Sequence, residues 1–263
     1  MLSSLSRVAA LSIFSGLALL LTFPAQAGIV LNTTRVIYPG ADKEVGLIVH
    51  NTGTGDILAQ SWLEASADAA PAHDPLSTPS ASVDVPFAIT PALARMGGEA
   101  RQLVRIIYSG EGLATDRESA LWLNVQEIPQ AGGENELQIA IRQRIKLFYR
   151  PAGLTDDPLK AAQALQWQVR DGQLEVNNPG PYHVSMIQLE ARRGTQVVFQ
   201  EDARMLAPQQ RWRWPLQHRV SDGPLALAFI SINDFGAQEP YQATVTDARI
   251  TQAAKAERRP DSR

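Results

Sequence analysis

Five charged residues stand where an apolar strand would ordinarily be bland, and their chemistry is ion pairing rather than bond making. Arg35 interrupts "IVLNTTRVIY" and Lys146 interrupts "RIKLFY". Each cation has two readings. Its stem lies along apolar surface with the head in water, or the two are held near each other to receive an anion. Glu118 stands at the start of the apolar run in "DRESALWLNV", Arg150 ends "RIKLFYR", and Asp234 follows the apolar run of "FISINDFG". A charge beside a core is costly unless paired. These three are either solvated separately at strand ends or paired. Bond-making chemistry has weaker support. The histidines His50, His73, His183 and His218 are scattered, and no G-x-S-x-G elbow, H-E-x-x-H helix or P-loop occurs. A Ser-His-Asp triad can assemble from distant positions, yet nothing marks one. His73 and Asp74 lie in the low-complexity stretch 67–84 and read as polar loop rather than as metal ligands. No catalytic residue, metal or cofactor is expected.

The element that must position Lys146 and Arg150 is "LQIAIRQRIKLFYRP", 137–151. Leu137, Ile139, Ile141, Ile145, Leu147 and Tyr149 recur with period two, the signature of a strand. From Leu137 to Arg150, at about 3.3 Å per residue, such a strand reaches roughly 45 Å, more than twice the usual length. A small sandwich cannot cover all of it, so its first part needs something else to pack against. Parity adds a constraint. Leu137, Ile139 and Ile141 are odd-numbered and Lys146 is even-numbered, so serving one partner from a flat strand predicts a bulge or strong twist near Arg142 to Ile145.

The surrounding sequence is β almost throughout. "GIVLNTTRVIYPG", "KEVGLIVHNTGTGD", "ILAQSWLEAS", "RQLVRIIYSG" and "SALWLNVQEIP" precede the long strand, with turn residues between them. They predict a Greek-key sandwich over residues 28–150. "PAGLTDDPLKAAQ", 151–163, has no strand period and reads as a linker with a short helical turn. A second, smaller sandwich follows over 164–250, and 251–263 reads as a flexible polar tail. Residues 1–27 carry one charge, Arg7, then an apolar run and an Ala25-Gln26-Ala27 cleavage site, the pattern of a secretory signal peptide. The precursor's net charge of −3 becomes −4 when Arg7 is removed, and no basic surplus points to nucleic acid. The chain has no cysteine, so an exported fold here relies on its cores.

These residues carry a resemblance. The chain resembles the periplasmic chaperones of the chaperone-usher pilus pathway, the PapD-like family. The match runs in order through "TTRVIYPG", "NTGTGDILAQSWLE", "PFAITPALARM", "LVRIIYSGEGLATDRESALWLNVQEIP", "ELQIAIRQRIKLFYRPAGL", "LEVNNPGPYHVS" and "ISINDFG". It implies an all-β protein of two immunoglobulin-like β-sandwich domains set as an L or boomerang, located in the periplasm, with no catalysis, cofactor or metal. It implies one-to-one partnership with pilin subunits, whose own fold lacks its last strand, and delivery to an outer-membrane usher. By the same resemblance, Arg35 and Lys146 match the cations that grip the pilin's C-terminal carboxylate. Leu137, Ile139 and Ile141 match the donated apolar residues. Glu118, Arg150 and Asp234 match an ionic cluster that fixes the inter-domain angle. The free chain's apolar edge is one that a second copy could cover. The competing class is a secreted, non-catalytic adhesin or structural fibre subunit with two sandwich domains.

Some positions depart from the family pattern. Ala92 follows Pro91 where a second proline is usual, which weakens the context for a cis Thr90-Pro91 bond. Ala114 and Gly180 replace the usual Pro and Thr. The loop before Pro86 is longer than usual. The short span between "NVQEIP" and "LQIAI" resembles the subclass associated with rod-like pili.

Overall fold

The computed structural model describes residues 28–66, 85–128, 139–216, 223–246 and 249–256. The expected signal peptide, the 67–84 loop and Leu137 lie outside the described residues. Strands dominate, in two β-sandwiches joined by a short helical connection. In chain order the first contains β1 (Ile29–Leu31), β2 (Arg35–Pro39), β3 (Val45–Asn51), β4 (Ile57–Ala65), β5 (Phe87–Thr90), β6 (Leu93–Met96), β7 (Arg101–Tyr108), β8 (Ser119–Ile128) and β9 (Arg142–Arg150). One sheet has the order β1-β3-β7-β5 and the other β2-β9-β8-β4-β6. The alternation read from the sequence aims Leu47, Val49, Val104, Ile106, Leu121, Leu123, Val125 and Leu147 into the space between them, where all are buried.

An aromatic cluster closes one end of this core. The Tyr108 and Tyr149 ring centroids lie 4.5 Å apart, and Tyr38 meets Phe87 at 5.6 Å. The Tyr38 hydroxyl accepts from the Tyr108 backbone N–H at 3.2 Å, so a buried phenol keeps a partner. At the other end, fully buried Asn51 donates to the Gly55 and Gly97 carbonyls at 2.9 and 2.8 Å and accepts from Gly53 N at 3.0 Å. The Thr90-Pro91 peptide is cis.

The connection folds where the sequence lost its strand period. A 3-10 turn at Pro158–Lys160 is capped by Asp157, whose side chain accepts from Leu159 N, and runs into α1 (Ala161–Ala164). The second sandwich contains β10 (Gln166–Arg170), β11 (Gln173–Asn177), β12 (Val184–Arg193), β13 (Gln196–Leu206), β14 (Arg211–Pro215), β15 (Leu225–Ile232), β16 (Gln238–Val245), β17 (Thr251–Gln252) and β18 (Ala254–Lys255). Its sheets are ordered β14-β11-β10-β17 and β13-β12-β15-β16-β18. Trp167 anchors the core, stacked on Trp214 at 6.4 Å and tilted against Phe229 at 5.5 Å.

One sequence expectation is corrected here. Residues 251–255 are not a frayed tail. β17 pairs with β10, β18 pairs with β16, and Ala253 between them is buried. Polar side chains hid this, because a two-residue edge strand is held by its backbone and exposes what it carries.

Candidate functional site

β9 has two chemically distinct faces and one open edge. Leu147 and Tyr149 point into the first core, with Ile145 packed against it. The even-numbered residues Arg142, Arg144, Lys146, Phe148 and Arg150 occupy the opposite face. β8 covers one edge in continuous antiparallel register, from Gln126↔Arg142 to Ser119↔Tyr149. Glu127 N also donates to Ile141 O at 3.0 Å, which carries that register one step further. The other edge is covered by β2, in parallel, only from Arg35↔Lys146 to Pro39↔Arg150. Among the described residues, no strand lies beside β9 on that edge before Lys146. Ile139 and Ile141 precede this open stretch, past the end of the core, and are 69% and 40% exposed.

Of the bulge or strong twist expected near Arg142 to Ile145, the bulge is absent, because the β8–β9 register has no shift there. Parity does not demand one. Side chains alternate between faces, but the backbone edge lies in the sheet plane. A neighbouring chain can therefore be met by odd side chains on one face and by even side chains at its main-chain terminus.

Arg35 and Lys146 are register partners, so their Cα atoms sit one inter-strand spacing apart, about 4.8 Å, with both side chains on the outward face. The Arg35 Nη1 donates to the Ile232 carbonyl of the second sandwich at 2.9 Å, and its Cζ lies 5.8 Å from the Phe148 ring centroid. Its Nε is buried with no hydrogen-bond partner. Burial lowers the Arg35 pKa, opposed by Asp234 and Glu118 and assisted by Arg150. The group stays a cation nonetheless. The Lys146 Nζ sits 4.1 Å from the Trp122 ring centroid, and the Arg144 Cζ lies 4.3 Å from the same ring. Further along, the Arg142 Cζ stacks on Trp62 at 5.0 Å. Glu64 ties this row together, accepting from Arg142 at 2.9 Å, Arg144 at 3.2 Å and the Trp62 indole at 2.9 Å. Burial disfavours the Glu64 carboxylate, but the Trp62, Arg142 and Arg144 contacts outweigh it and hold its pKa below the usual value.

The other three charges meet at the joint. Arg150 Nε donates to Glu118 Oε1 at 2.7 Å, while Nη1 and Nη2 donate to the Asp234 oxygens at 2.6 and 2.7 Å. This bidentate pair crosses from the first sandwich to the second. Burial works against the Arg150 cation, but Asp234 and Glu118 more than compensate and raise its pKa. Glu118, with a side chain 1% exposed, has a second oxygen that accepts from His183 N at 2.8 Å and faces His183 Nδ1 at 2.9 Å. That contact requires the proton on Nδ1. The sequence reading passed over His183 as one of four scattered histidines. Its only sequence signal is the "PYHV" that opens β12, where a backbone N–H and a ring nitrogen reach the same acceptor. Trp122 and Trp62 were also unassigned. Their even-numbered places opposite β9's cations become informative only once β4, β8 and β9 are known to be neighbours. Among the described residues, no group of His, Asp or Glu suited to a metal occurs.

Known proteins share this arrangement of strands. Residues 28–155 match the model of the pili and flagellar-assembly chaperone PapD N-terminal domain, and residues 160–243 match that of the pili assembly chaperone PapD C-terminal domain. The chaperone protein FimB/FhaD of Bordetella pertussis is 37% identical over 237 residues, covering 85% of this chain and 90% of the relative. The crystal structure of the YadV chaperone superposes with a TM-score of 0.68 at 33% identity, covering 83% of this chain and all of the other. The Salmonella enterica SafB chaperone, in a structure of its complex with the SafA pilin, superposes with a TM-score of 0.64 at 25% identity, covering 85% and 98%.

Proposed function

The chain belongs to the PapD-like family of pilus-assembly chaperones, and from that premise we propose that it captures pilin subunits in the periplasm by lending them a strand. The observation that carries this reading is the place where β2 begins. β9 offers an open backbone edge up to Lys146, and there β2 takes over the same position beside it, starting at Arg35. A client strand lying along the open edge with its end at this pair runs parallel to β9, in line with β2. It cannot continue past Arg35, because β2 already occupies that space. A chain that ends there fits without turning out of the sheet, and its end supplies a carboxylate. The guanidinium of Arg35 and the ammonium of Lys146, paired across the two strands, are donors suited to it.

The rest of the client follows from this alignment. Ile139 and Ile141, together with Leu137, enter the groove that the client's missing strand leaves open. Ladder hydrogen bonds satisfy the client's exposed backbone. Burying these three aliphatic side chains contributes very roughly 5–9 kcal/mol before ordering costs. The carboxylate fixes register, since a slip of one residue would turn every side chain to the wrong face. The Glu118–Arg150–Asp234 cluster sets the angle between the sandwiches, so that Ile232 and Arg35 stay together. The protein is non-catalytic, acts one-to-one with its client, and passes it to an outer-membrane usher. The SafB neighbour, solved with a pilin, supports this choice of partner.

Co-purification from a periplasmic extract tests the reading. The wild-type chain should retain a pilin one-to-one, and Arg35→Ala or Lys146→Ala should abolish retention. Capture that survives both changes would remove the carboxylate assignment. Incorporation of the chain itself into a fibre would identify it as a structural subunit instead.

A further inference from the structure

We propose that Phe235, at the tip of the turn between β15 and β16, is a second client contact contributed by the second sandwich, packing on apolar pilin surface beside the gripped chain end. This deepens the function proposed above and rests on it. Phe235 is 85% exposed. Single exposed hydrophobic residues are common on protein surfaces, so exposure alone carries nothing. What sets this residue apart is how firmly its turn is held, and against what.

The turn is braced from within by Asn233. Its Oδ1 accepts from Phe235 N at 3.0 Å and from Ala237 N at 2.9 Å, while its backbone carbonyl accepts from Gly236 N at 2.9 Å. Asn233 N in turn donates to Ala237 O at 3.0 Å. The same turn is bonded to the first sandwich just before Phe235 and packs closely on it just after. Ile232 O accepts from Arg35, and Asp234 receives the Arg150 guanidinium. Gly236, at φ +79°, lies so close that a Cβ there would come within 2.6 Å of Thr34 Oγ1. The positive φ favours glycine there, and a Cβ would also force the Thr34 side chain to move. Phe235, between Asp234 and Gly236, is left facing solvent on a turn that meets the first sandwich at Thr34, Arg35 and Arg150.

A chain end gripped at Arg35 lies next to the turn that carries Phe235. The backbone that carries the ring is already held by the Asn233 hydrogen bonds before binding, so contact costs little beyond the two side-chain torsions of Phe235, and buried aromatic side chains are frequent interface hot spots. The occupant is the pilin because the turn that carries the ring is bonded to Arg35, the residue proposed to grip the client's chain end. The client then touches both sandwiches.

The test uses the mature chain and the pilin that co-purifies with it. Release of pilin from the preformed complex is followed on adding excess labelled wild-type chaperone. Phe235→Ala should speed release about tenfold or more, as expected for an aromatic hot spot. Phe235→Tyr, which keeps the ring, should restore slow release, and both variants should melt with the wild type. An unchanged release rate for Phe235→Ala, alongside loss of capture by Arg35→Ala, would overturn this contact and leave the carboxylate anchor standing. A change confined to self-association of the free chain would overturn it as well. Capture that survives Arg35→Ala would remove the anchor and this inference together.

Discussion

Arg35 and Lys146 are register partners on parallel strands, and they mark the point where β9 passes from an open edge to a covered one. The two cations stand side by side at that boundary and face outward, while the odd-numbered residues of β9 face the other way. Backbone edge, apolar face and cationic face thus present three different chemistries to one neighbouring chain.

The first prediction concerns the chain end. A synthetic peptide with the sequence of the client's last strand should bind the chaperone, and its C-terminal amide should bind at least about tenfold more weakly, as for loss of a charge-assisted contact. Fluorescence titration of the two peptides measures this. Equal affinities would show that Arg35 and Lys146 do not read a carboxylate. Lys146→Ala should melt within a few degrees of wild type, since its side chain lies on the outward face, over Trp122.

Much of this arrangement is legible in the chain, and the illegible parts share a cause. The period of two in "LQIAIRQRIKLFY" gives the strand, its core face and its excess length. Arg35, Lys146, Glu118, Arg150 and Asp234 stand out because charge interrupts apolar runs. Which of them meet is a matter of non-local pairing. Arg35 and Lys146 become neighbours only because β2 runs parallel to β9, and nothing within either segment specifies that. His183 is silent for the same reason, since its acceptor Glu118 is distant in sequence. Of the bulge or strong twist expected near Arg142 to Ile145, the register excludes the bulge, which side-chain parity does not require when the proposed contact runs along the backbone edge.

The second prediction addresses the apolar half of the contact. Ile139→Asp should reduce pilin capture by about a hundredfold or more, because a carboxylate would enter a closed apolar groove without a partner. The free chaperone should be unaffected, since Ile139 is 69% exposed and outside the core. Surface-immobilised chaperone and refolding pilin give the rates. An unchanged dissociation rate would exclude Ile139 from the groove.

A pH dependence follows from Glu64. Its native pKa lies below the ordinary 4.5, because Trp62, Arg142 and Arg144 outweigh the burial that opposes ionisation. A depressed carboxylate pKa contributes stability that is complete above the ordinary value and is lost as pH falls through the native one. Arg142→Ala should raise the native pKa toward the ordinary value. The gap in melting temperature between wild type and variant should therefore be widest above pH 4.5 and should narrow on acidification. A gap that stays constant down to strongly acidic pH would mean that Glu64 is not what Arg142 stabilises.

The last prediction separates the joint from the client site. Arg150→Ala removes the cation that Glu118 and Asp234 share, leaving a carboxylate whose side chain is 1% exposed with His183 as its hydrogen-bond partner. Losing one member of a buried ionic set costs about 3–5 kcal/mol, so urea unfolding should shift strongly. Asp234→Asn is milder. It keeps a hydrogen-bonding group opposite the guanidinium, and Glu118 still neutralises Arg150. This variant should unfold nearly as the wild type does while broadening the inter-domain distance distribution between spin labels placed one in each sandwich. Capture should weaken with that broadening, because Arg35 keeps its place through the Ile232 carbonyl and cannot hold a chain end when the second sandwich swings away. If Asp234→Asn left the distance distribution as narrow as before, the angle would be set elsewhere, and the Arg150 cluster would be a stabilising contact alone.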